Sequence, residues 1–366
     1  MIDRRHFNLG LGGLAAVWAA GVSAQGRKVF RGANSVGIVD AQQCFITCGR
    51  HPKLRYFEQE GVELDFVNMS SANQAMVGIA RGQAEFGSLA PGVYLPAIAK
   101  EPQLGIIAVY NWLPRNANVV VVKPDSPVKT IKDLAGKRIG IRNQGDGGVF
   151  ALQTMYGELG VKTSDINFIA VGDSGVAGTA LTQGNVDAIV TYDTAAARIE
   201  AVGMPLRYLD LPPNYARLGA GWMGIRRKDL KEDRKAVVGF FRAVAKSTLF
   251  AHTNLGEAIN IHWALYPETK SKNKSDAESR QEIELILGRR KDNWIRRPDD
   301  PDQRWGASSL EEWQQIVAIT ARSTANPQLP QQLGDLGNVF TNELIDEVNA
   351  FDKAAVVRQA QEFRST

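Results

Sequence analysis

Three residues early in the chain have the types and the spacing of soft metal ligands: Cys44, Cys48 and His51. Positions i, i+4 and i+7 would place two thiols and one imidazole on the same face of a helix. The set could hold a metal ion, the two thiols could form a strained disulfide across one helical turn, or they could be buried as small hydrophobic side chains. We expect packed thiols, and therefore no metal site and no cofactor.

Other catalytic patterns each fail at a required position. The sequence from Gly172 to Gly175 begins like a nucleophile elbow, but Val176 stands where the closing glycine should be. The turn from Gly145 to Gly148 follows a predicted strand and opens a predicted helix, but Phe150 takes the place of the third glycine of a dinucleotide loop. We therefore expect a protein that is not an enzyme.

Length and composition favour two α/β domains. The 366 residues contain 43 Lys and Arg against 39 Asp and Glu, with 44% hydrophobic and 22% charged residues. These values are typical of globular chains, and the length exceeds that of one ordinary core. Because the net charge of +4 is spread along the chain without a basic stripe, we expect no nucleic-acid partner.

The first 24 residues have the composition of an export signal. Arg4-Arg5-His6-Phe7 precedes an uncharged stretch from Leu9 to Ala24, and a small residue stands directly before Gln25. The stretch is too short and too rich in glycine for a membrane span. The arginine pair resembles a twin-arginine signal, although ordinary secretory signals also carry such pairs. We expect residues 1–24 to be removed and the mature protein to be periplasmic.

After Gln25, apolar runs alternate with amphipathic stretches, which predicts sheets with helical crossovers. The region from Ala41 to Phe57 has helix-like spacing, and long helices are expected beyond Leu230. Two polar segments are predicted to be loops: Lys270 to Ser279 and Arg296 to Arg304. Strands are predicted at 29–33, 62–67, 84–87, 106–110, 118–122, 138–141, 166–171 and 186–191.

One short pattern occurs twice. Gly82-Gln-Ala-Glu-Phe-Gly87 and Gly184-Asn-Val-Asp-Ala-Ile189 share the order of helix end, glycine, amide, small apolar residue, acid and apolar strand. Six positions could match by chance. The alternative is that two lobes are built on the same half-plan, each ending a strand in a turn that opens a helix.

These segments, with Val128 to Ile141 and the exported start, resemble the periplasmic solute-binding proteins of ABC importers, in the nitrate/sulfonate/taurine and thiamine-pyrimidine branch. The resemblance implies the type II periplasmic binding protein fold: two α/β lobes, each a mainly parallel sheet flanked by helices, with extra C-terminal helices. It places lobe one at 27–117, completed by 222–366, and lobe two at 118–221. It also implies a small organic solute as ligand and an ABC permease and ATPase complex in the inner membrane as partner. We expect a monomer.

The ligand should lie where the carboxyl ends of the strands of both lobes meet, because helix N-termini there offer free N–H donors. Most of the residues concerned could instead have a purely structural role: the serines and Asp193 could be N-caps, the glycines could allow a turn, and the aromatic residues could be packed in the core. The predicted ligand-binding residues are Asn34, Ser35, Ser70, Ser71, Ser88, Leu89, Trp112, Asp146, Gly147, Gly148, Tyr192 and Asp193.

Neither the charge of the ligand nor the final function follows from the residues alone. Helix N-termini, with Arg142, favour a sulfonate or a carboxylate, whereas Asp146 and Asp193 would repel an anion and suit a ring amine or amide. Besides transport, two functions stay open on the same fold. One is an enzyme related to pyrimidine synthesis that uses Cys44, Cys48 and His51, and the other is a solute sensor for a membrane receptor.

Overall fold

A computed structural model describes residues 26–34, 39–69, 71–144, 147–270 and 273–365. The expected signal segment, residues 1–24, lies outside these ranges. Within them, no helix combines the length and the apolar character that a membrane span needs.

Ten strands form two sheets of five. The first sheet has the order β2-β1-β3-β10-β4 and the second the order β7-β6-β8-β5-β9. The strands are β1 (Lys28–Asn34), β2 (Val62–Asn68), β3 (Phe86–Leu89), β4 (Ile106–Leu113), β5 (Asn118–Val122), β6 (Arg138–Ile141), β7 (Asn167–Ala170), β8 (Ala188–Tyr192), β9 (Arg207–Tyr208) and β10 (Gly221–Arg226). Every strand expected from the sequence is therefore present within a few residues of its predicted bounds.

Both sheets are mixed, and in the same way. In the first, β1 pairs in parallel with β2 and β3, whereas β10 pairs antiparallel with β3 and β4. In the second, β6 pairs in parallel with β7 and β8, whereas β5 pairs antiparallel with β8 and β9. The parallel pairs arise from helical crossovers. The antiparallel strands β5 and β10 adjoin the two segments in which the chain crosses between the sheets, so the parallel share is smaller than expected.

The repeated pattern has the same structural role in both lobes. Glu85 precedes β3 and accepts hydrogen bonds from the backbone N–H and guanidinium of Arg31 on β1, at 2.8–2.9 Å. Asp187 precedes β8 and accepts the equivalent bonds from Arg138 on β6, at 2.8–3.2 Å. The glycine that ends each preceding helix has φ of +75°, a conformation that favours glycine. The two lobes therefore share one half-plan.

The helices are α1 (Cys44–Thr47), α2 (Tyr56–Gln59), α3 (Ala72–Ala80), α4 (Pro91–Lys100), α5 (Gly147–Leu159), α6 (Ser174–Thr182), α7 (Asp193–Ala201), α8 (Pro213–Arg217), α9 (Asp229–Glu232), α10 (Arg234–Thr253), α11 (Leu255–Leu265), α12 (Asp276–Lys291), α13 (Leu310–Ser323), α14 (Leu329–Leu333), α15 (Ile345–Val348) and α16 (Lys353–Glu362). The three longest helices of the described chain, α10, α12 and α13, all lie beyond residue 233.

Two sequence predictions about helices are wrong. The stretch from Ala41 to Phe57 is not one helix, because Pro52 pushes His51 into an extended conformation with ψ of 137°. The expected loop from Lys270 to Ser279 contains the start of α12, since Ser275 and Glu278 form a reciprocal capping box. The sequence did not indicate this helix, because its first residues are polar.

The C-terminal helices contact both lobes. Helix α10 packs on α1, α2 and α16 beside the first sheet, while α12 packs on α7 and α13 packs on α5 beside the second. Stacked aromatic rings secure α10, including Phe240 on Phe30, with ring centroids 4.4 Å apart, and Phe241 on Tyr110, at 5.2 Å. The C-terminal region thus joins the two lobes; the division of the chain at residue 222 stays a prediction.

Candidate functional site

The strand ends of the first lobe carry three of the expected polar residues. Asn34 ends β1 and donates from its amide to the side-chain oxygen of Asn68 at 3.2 Å. Ser71 caps α3, and its hydroxyl accepts from the Gln74 N–H at 3.2 Å. Ser88 is exposed at the end of β3. Ser71 is therefore an N-cap, and its hydroxyl already accepts one hydrogen bond.

Leu89 and Trp112 are held by packing. Leu89 is only 1% exposed and lies in the core, where its side chain fills the space above Gly224. The indole of Trp112 stacks on Phe45, with ring centroids 5.1 Å apart, and donates to the Ser88 hydroxyl at 3.3 Å. A methyl group at Gly221 would lie 2.7 Å from the indole nitrogen, so this close approach requires glycine there.

The second lobe contributes the beginning of α5 and the end of β8. Gly147 and Gly148 open α5. A methyl group at Gly147 would lie 2.7 Å from the Tyr192 hydroxyl oxygen, so Gly147 lets Tyr192 lie across the start of the helix. Ser35, Ser70 and Asp146 lie outside the described residues, and their placement at this site stays a prediction.

Asp193 is part of a buried ion pair. It is 4% exposed, and its carboxylate accepts from the Arg290 guanidinium at 2.9 Å and from the Asn293 amide at 2.8 Å. It also accepts from the Thr194 N–H at 2.7 Å. The carboxylate thus joins α7 to α12, a partnership that the sequence did not indicate because Arg290 is 97 residues away.

The two lobes contact each other at two places beside the strand ends. At one, the Thr194 hydroxyl donates to the side-chain oxygen of Gln42 at 3.0 Å, and Arg198 lies 3.5 Å from Asp40. At the other, the beginning of α4 meets α5: a methyl group at Gly92 would lie 3.0 Å from the Phe150 ring. The strand ends of both sheets therefore face each other with the lobes in contact.

The crossing segments are fastened by the C-terminal region. Arg115, in the first crossing, donates to the carbonyl oxygens of Ile295 and Arg296 at 2.8 and 2.9 Å. Glu312, on α13, accepts from the Gly219 N–H of the second crossing at 2.9 Å. Burial raises the pKa of the Glu312 carboxyl. The sequence carried no local signal for either contact, because both partners are far away along the chain.

The early cysteine pair is part of the core. Cys44 and Cys48 are free and fully buried, and the Cys48 thiol donates to the Ser247 carbonyl oxygen at 3.3 Å. Burial raises the pKa of both thiols. His51 accepts from the Lys53 N–H and contacts the Phe363 ring edge-on. The prediction of packed thiols is confirmed, and the disulfide alternative is not what the structure contains.

Comparisons with known proteins agree with this architecture. Residues 52–258, more than half of the chain, match the family model described as NMT1/THI5 like. The periplasmic aliphatic sulphonate binding protein SsuA from Escherichia coli has a TM-score of 0.59 at 16% identity, over 83% of this chain and 89% of that one. The alkanesulfonate-binding protein SsuA from Xanthomonas axonopodis pv. citri bound to MOPS has a TM-score of 0.55 at 17% identity, over 87% and 97%.

A third structure, the periplasmic sulfonate-binding protein SsuA from Methylobacillus flagellatus KT, has a TM-score of 0.60 at 18% identity, over 92% of this chain and 96% of that one. No curated protein sequence matches the chain. At these identities the structural likeness establishes the fold, and the family match establishes the family. The chain therefore belongs to the NMT1/THI5 like family and has the α/β fold of the periplasmic binding proteins of ABC importers.

Proposed function

We propose that this protein is exported, captures a small organic solute between its two lobes and delivers the solute to an ABC permease in the inner membrane. The observation that carries the proposal is the meeting of two sheets at their strand ends, where α3, α4, α5 and α7 all begin. Helix N-termini leave backbone N–H groups without intrahelical partners, and the helix dipole adds positive potential there. The cleft between the lobes therefore offers donors to a solute from both sides.

The charges at the cleft favour an anion, such as a sulfonate or a carboxylate. The objection that Asp193 would repel an anion loses its force, because Arg290 and Asn293 already bind that carboxylate. Arg142 is the first residue after β6, and we propose that it assists with charge. The three similar proteins are described as binding sulfonates, which agrees with this ligand class but is a statement about those proteins.

Capture depends on opening and closing. In the closed arrangement Gln42 binds Thr194 and Asp40 approaches Arg198, so the lobes must part there before a solute can enter. The ion pair of Arg198 and Asp40 is partly exposed, and such pairs contribute little to stability. A solute favours closure only to the extent that it binds the closed state more tightly than the open one. Weak direct contacts between the lobes leave that role to the solute.

The first experiment identifies the solute. Native mass spectrometry of the protein purified from its own periplasm should show a bound small molecule, and thermal shifts with sulfonates, aromatic carboxylates and pyrimidines should rank the ligand classes. We expect sulfonates or carboxylates to raise the melting temperature. Turnover of any bound molecule, or stoichiometric iron, would contradict a binding protein.

A charge placed in the cleft tests the site. Ser88→Glu adds a carboxylate at the exposed end of β3 and should weaken anion binding at least tenfold, with little change in the melting temperature of the apo protein. Ser164→Glu adds the same charge at an exposed position of lobe two away from the strand ends and should leave binding unchanged. Equal affinities for both variants would exclude the strand ends as the anion site.

A further inference from the structure

A second cavity lies outside the cleft. Its volume is about 310 Å³, and it is enclosed by the end of β4, the end of α10, the start of α16 and the chain between 294 and 306. None of the predicted cleft residues within the described ranges lines it. A volume of this size is at the lower end of the range for small-molecule sites.

The ionisable side chains that line the cavity are all basic: Arg296, Arg304, Lys353 and His252. Arg304 is bound by Asp302 and Asp346, Arg296 approaches Asp300 only to 4.0 Å, and His252 lies 3.4 Å from Asp292. None of these four carboxylates lines the cavity. Burial lowers the pKa of His252, so the cationic groups at the cavity are Arg296, Arg304 and Lys353.

Lys353 is exposed and lines the cavity. It makes no ion pair within the described residues and stands in the first turn of α16, where the helix dipole disfavours a positive charge. A bound anion would compensate both features. An acidic side chain at this position would suit the helix better, which makes Lys353 a clean site for a test.

Two lining residues carry buried polar atoms that are without a partner in the described part of the chain. Trp294 is 1% exposed and its indole N–H is unpaired, and Asn111 is 3% exposed with both amide atoms unpaired. Buried polar groups are normally hydrogen-bonded. Trp305, Leu249 and Pro114 add apolar surface to the same wall. Polar donors and basic groups thus occur beside flat hydrophobic side chains.

We propose that this cavity is a second ligand site, separate from the cleft, that binds a small organic anion with a flat apolar body, such as an aromatic carboxylate. The basic side chains bind the charged group and the tryptophans pack on the ring. The apolar wall distinguishes such a ligand from an inorganic anion, which would leave that surface uncovered. Asn111 and Pro114 lead into the first crossing segment, so a ligand in the cavity lies directly against that segment.

Benzoate is the probe. The full mature chain is titrated with benzoate by calorimetry and by tryptophan fluorescence, both as the native protein and as the Ser88→Glu variant, whose cleft repels anions. We expect binding in both proteins with a fluorescence change. Lys353→Glu should raise the Kd at least tenfold without lowering the melting temperature, and Trp294→Phe should raise the Kd and reduce the fluorescence change.

Lys132→Glu is the matched control, because Lys132 is exposed on lobe two, remote from the cavity; it should bind benzoate like the native protein. Three results would each overturn the proposal. They are an unchanged Kd for Lys353→Glu, loss of benzoate binding in Ser88→Glu, and inorganic phosphate binding as tightly as benzoate.

Discussion

Replacing Asp193 by alanine should destabilise the apo protein strongly, although the residue lies beside the cleft. The side chains of Asp193 and Arg290 are 6% and 7% exposed, so the substitution leaves a buried guanidinium without its counter-charge. Breaking a buried ion pair in this way costs about 3–5 kcal/mol. The entropy of unfolding is about 2.1 cal/mol/K per residue, so a chain of this length loses about 1.3 °C per kcal/mol, and the melting temperature should fall by about 4–7 °C.

The assay is urea and thermal unfolding of four proteins. The control Asp299→Ala removes one member of the Arg217–Asp299 pair, whose side chains are 57% and 60% exposed, and should cost less than about 1 kcal/mol. The double variant Asp193→Ala with Arg290→Met removes the orphaned charge and should recover a large part of the loss. If Asp193→Ala lowers the free energy of unfolding no more than Asp299→Ala does, the pair of Asp193 and Arg290 does not hold α7 to α12.

Three further predictions concern the core and the repeated ion pairs. Burial lowers the pKa of His262 from 6.5 to about 4. The free energy of unfolding should therefore fall by about 3 kcal/mol as the pH decreases from about 6.5 through 4. Thermal unfolding measured against pH should show a flatter profile for His262→Phe than for the native protein. Cys44 and Cys48 should resist alkylation in the native state and react only in denaturant, as mass spectrometry would show; rapid native labelling would contradict their burial. Glu85→Gln should lower the free energy of unfolding by about 1–3 kcal/mol, because it weakens a charge-assisted hydrogen bond to Arg31. Scanning calorimetry measures this loss, and an unchanged melting temperature would show that the bond does not stabilise the fold.

The positions of the strands along the chain were accessible from the sequence for local reasons. Apolar runs such as Asn118–Val122 are bounded by turn residues, and this boundary is what a strand in a buried sheet requires. The repeated glycine and acid also carried real information. The acid of each copy binds an arginine on the neighbouring strand, and this contact depends on the sheet order that both copies share.

The parts of the site that the sequence did not indicate depend on residues far apart in the chain. The first seven residues of α12, Asp276 to Glu282, are polar apart from Ala277, so the beginning of this helix has no apolar stripe in the sequence. Its Arg290 forms a buried ion pair with Asp193, and the proposal of an anionic ligand depends on this pair. From the sequence alone Asp193 is a free negative charge, whereas in the folded protein Arg290 balances that charge.

The C-terminal region also changes where motion between the lobes should be sought. Helix α12 packs on α7 of the second lobe, α13 packs on both α5 and α4 and so contacts both lobes, and α10 packs beside the first sheet together with α16. If the lobes part, α12 should move with the second lobe, because the buried pair between Asp193 and Arg290 resists separation, whereas Trp313 of α13 contacts Tyr94 and Trp222 of the first lobe. The chain must then flex between α11 and α12 and between α12 and α13, in addition to the two crossings. Opening is therefore a motion about four segments, and the contacts of Arg115 and Glu312 with the crossings limit its extent.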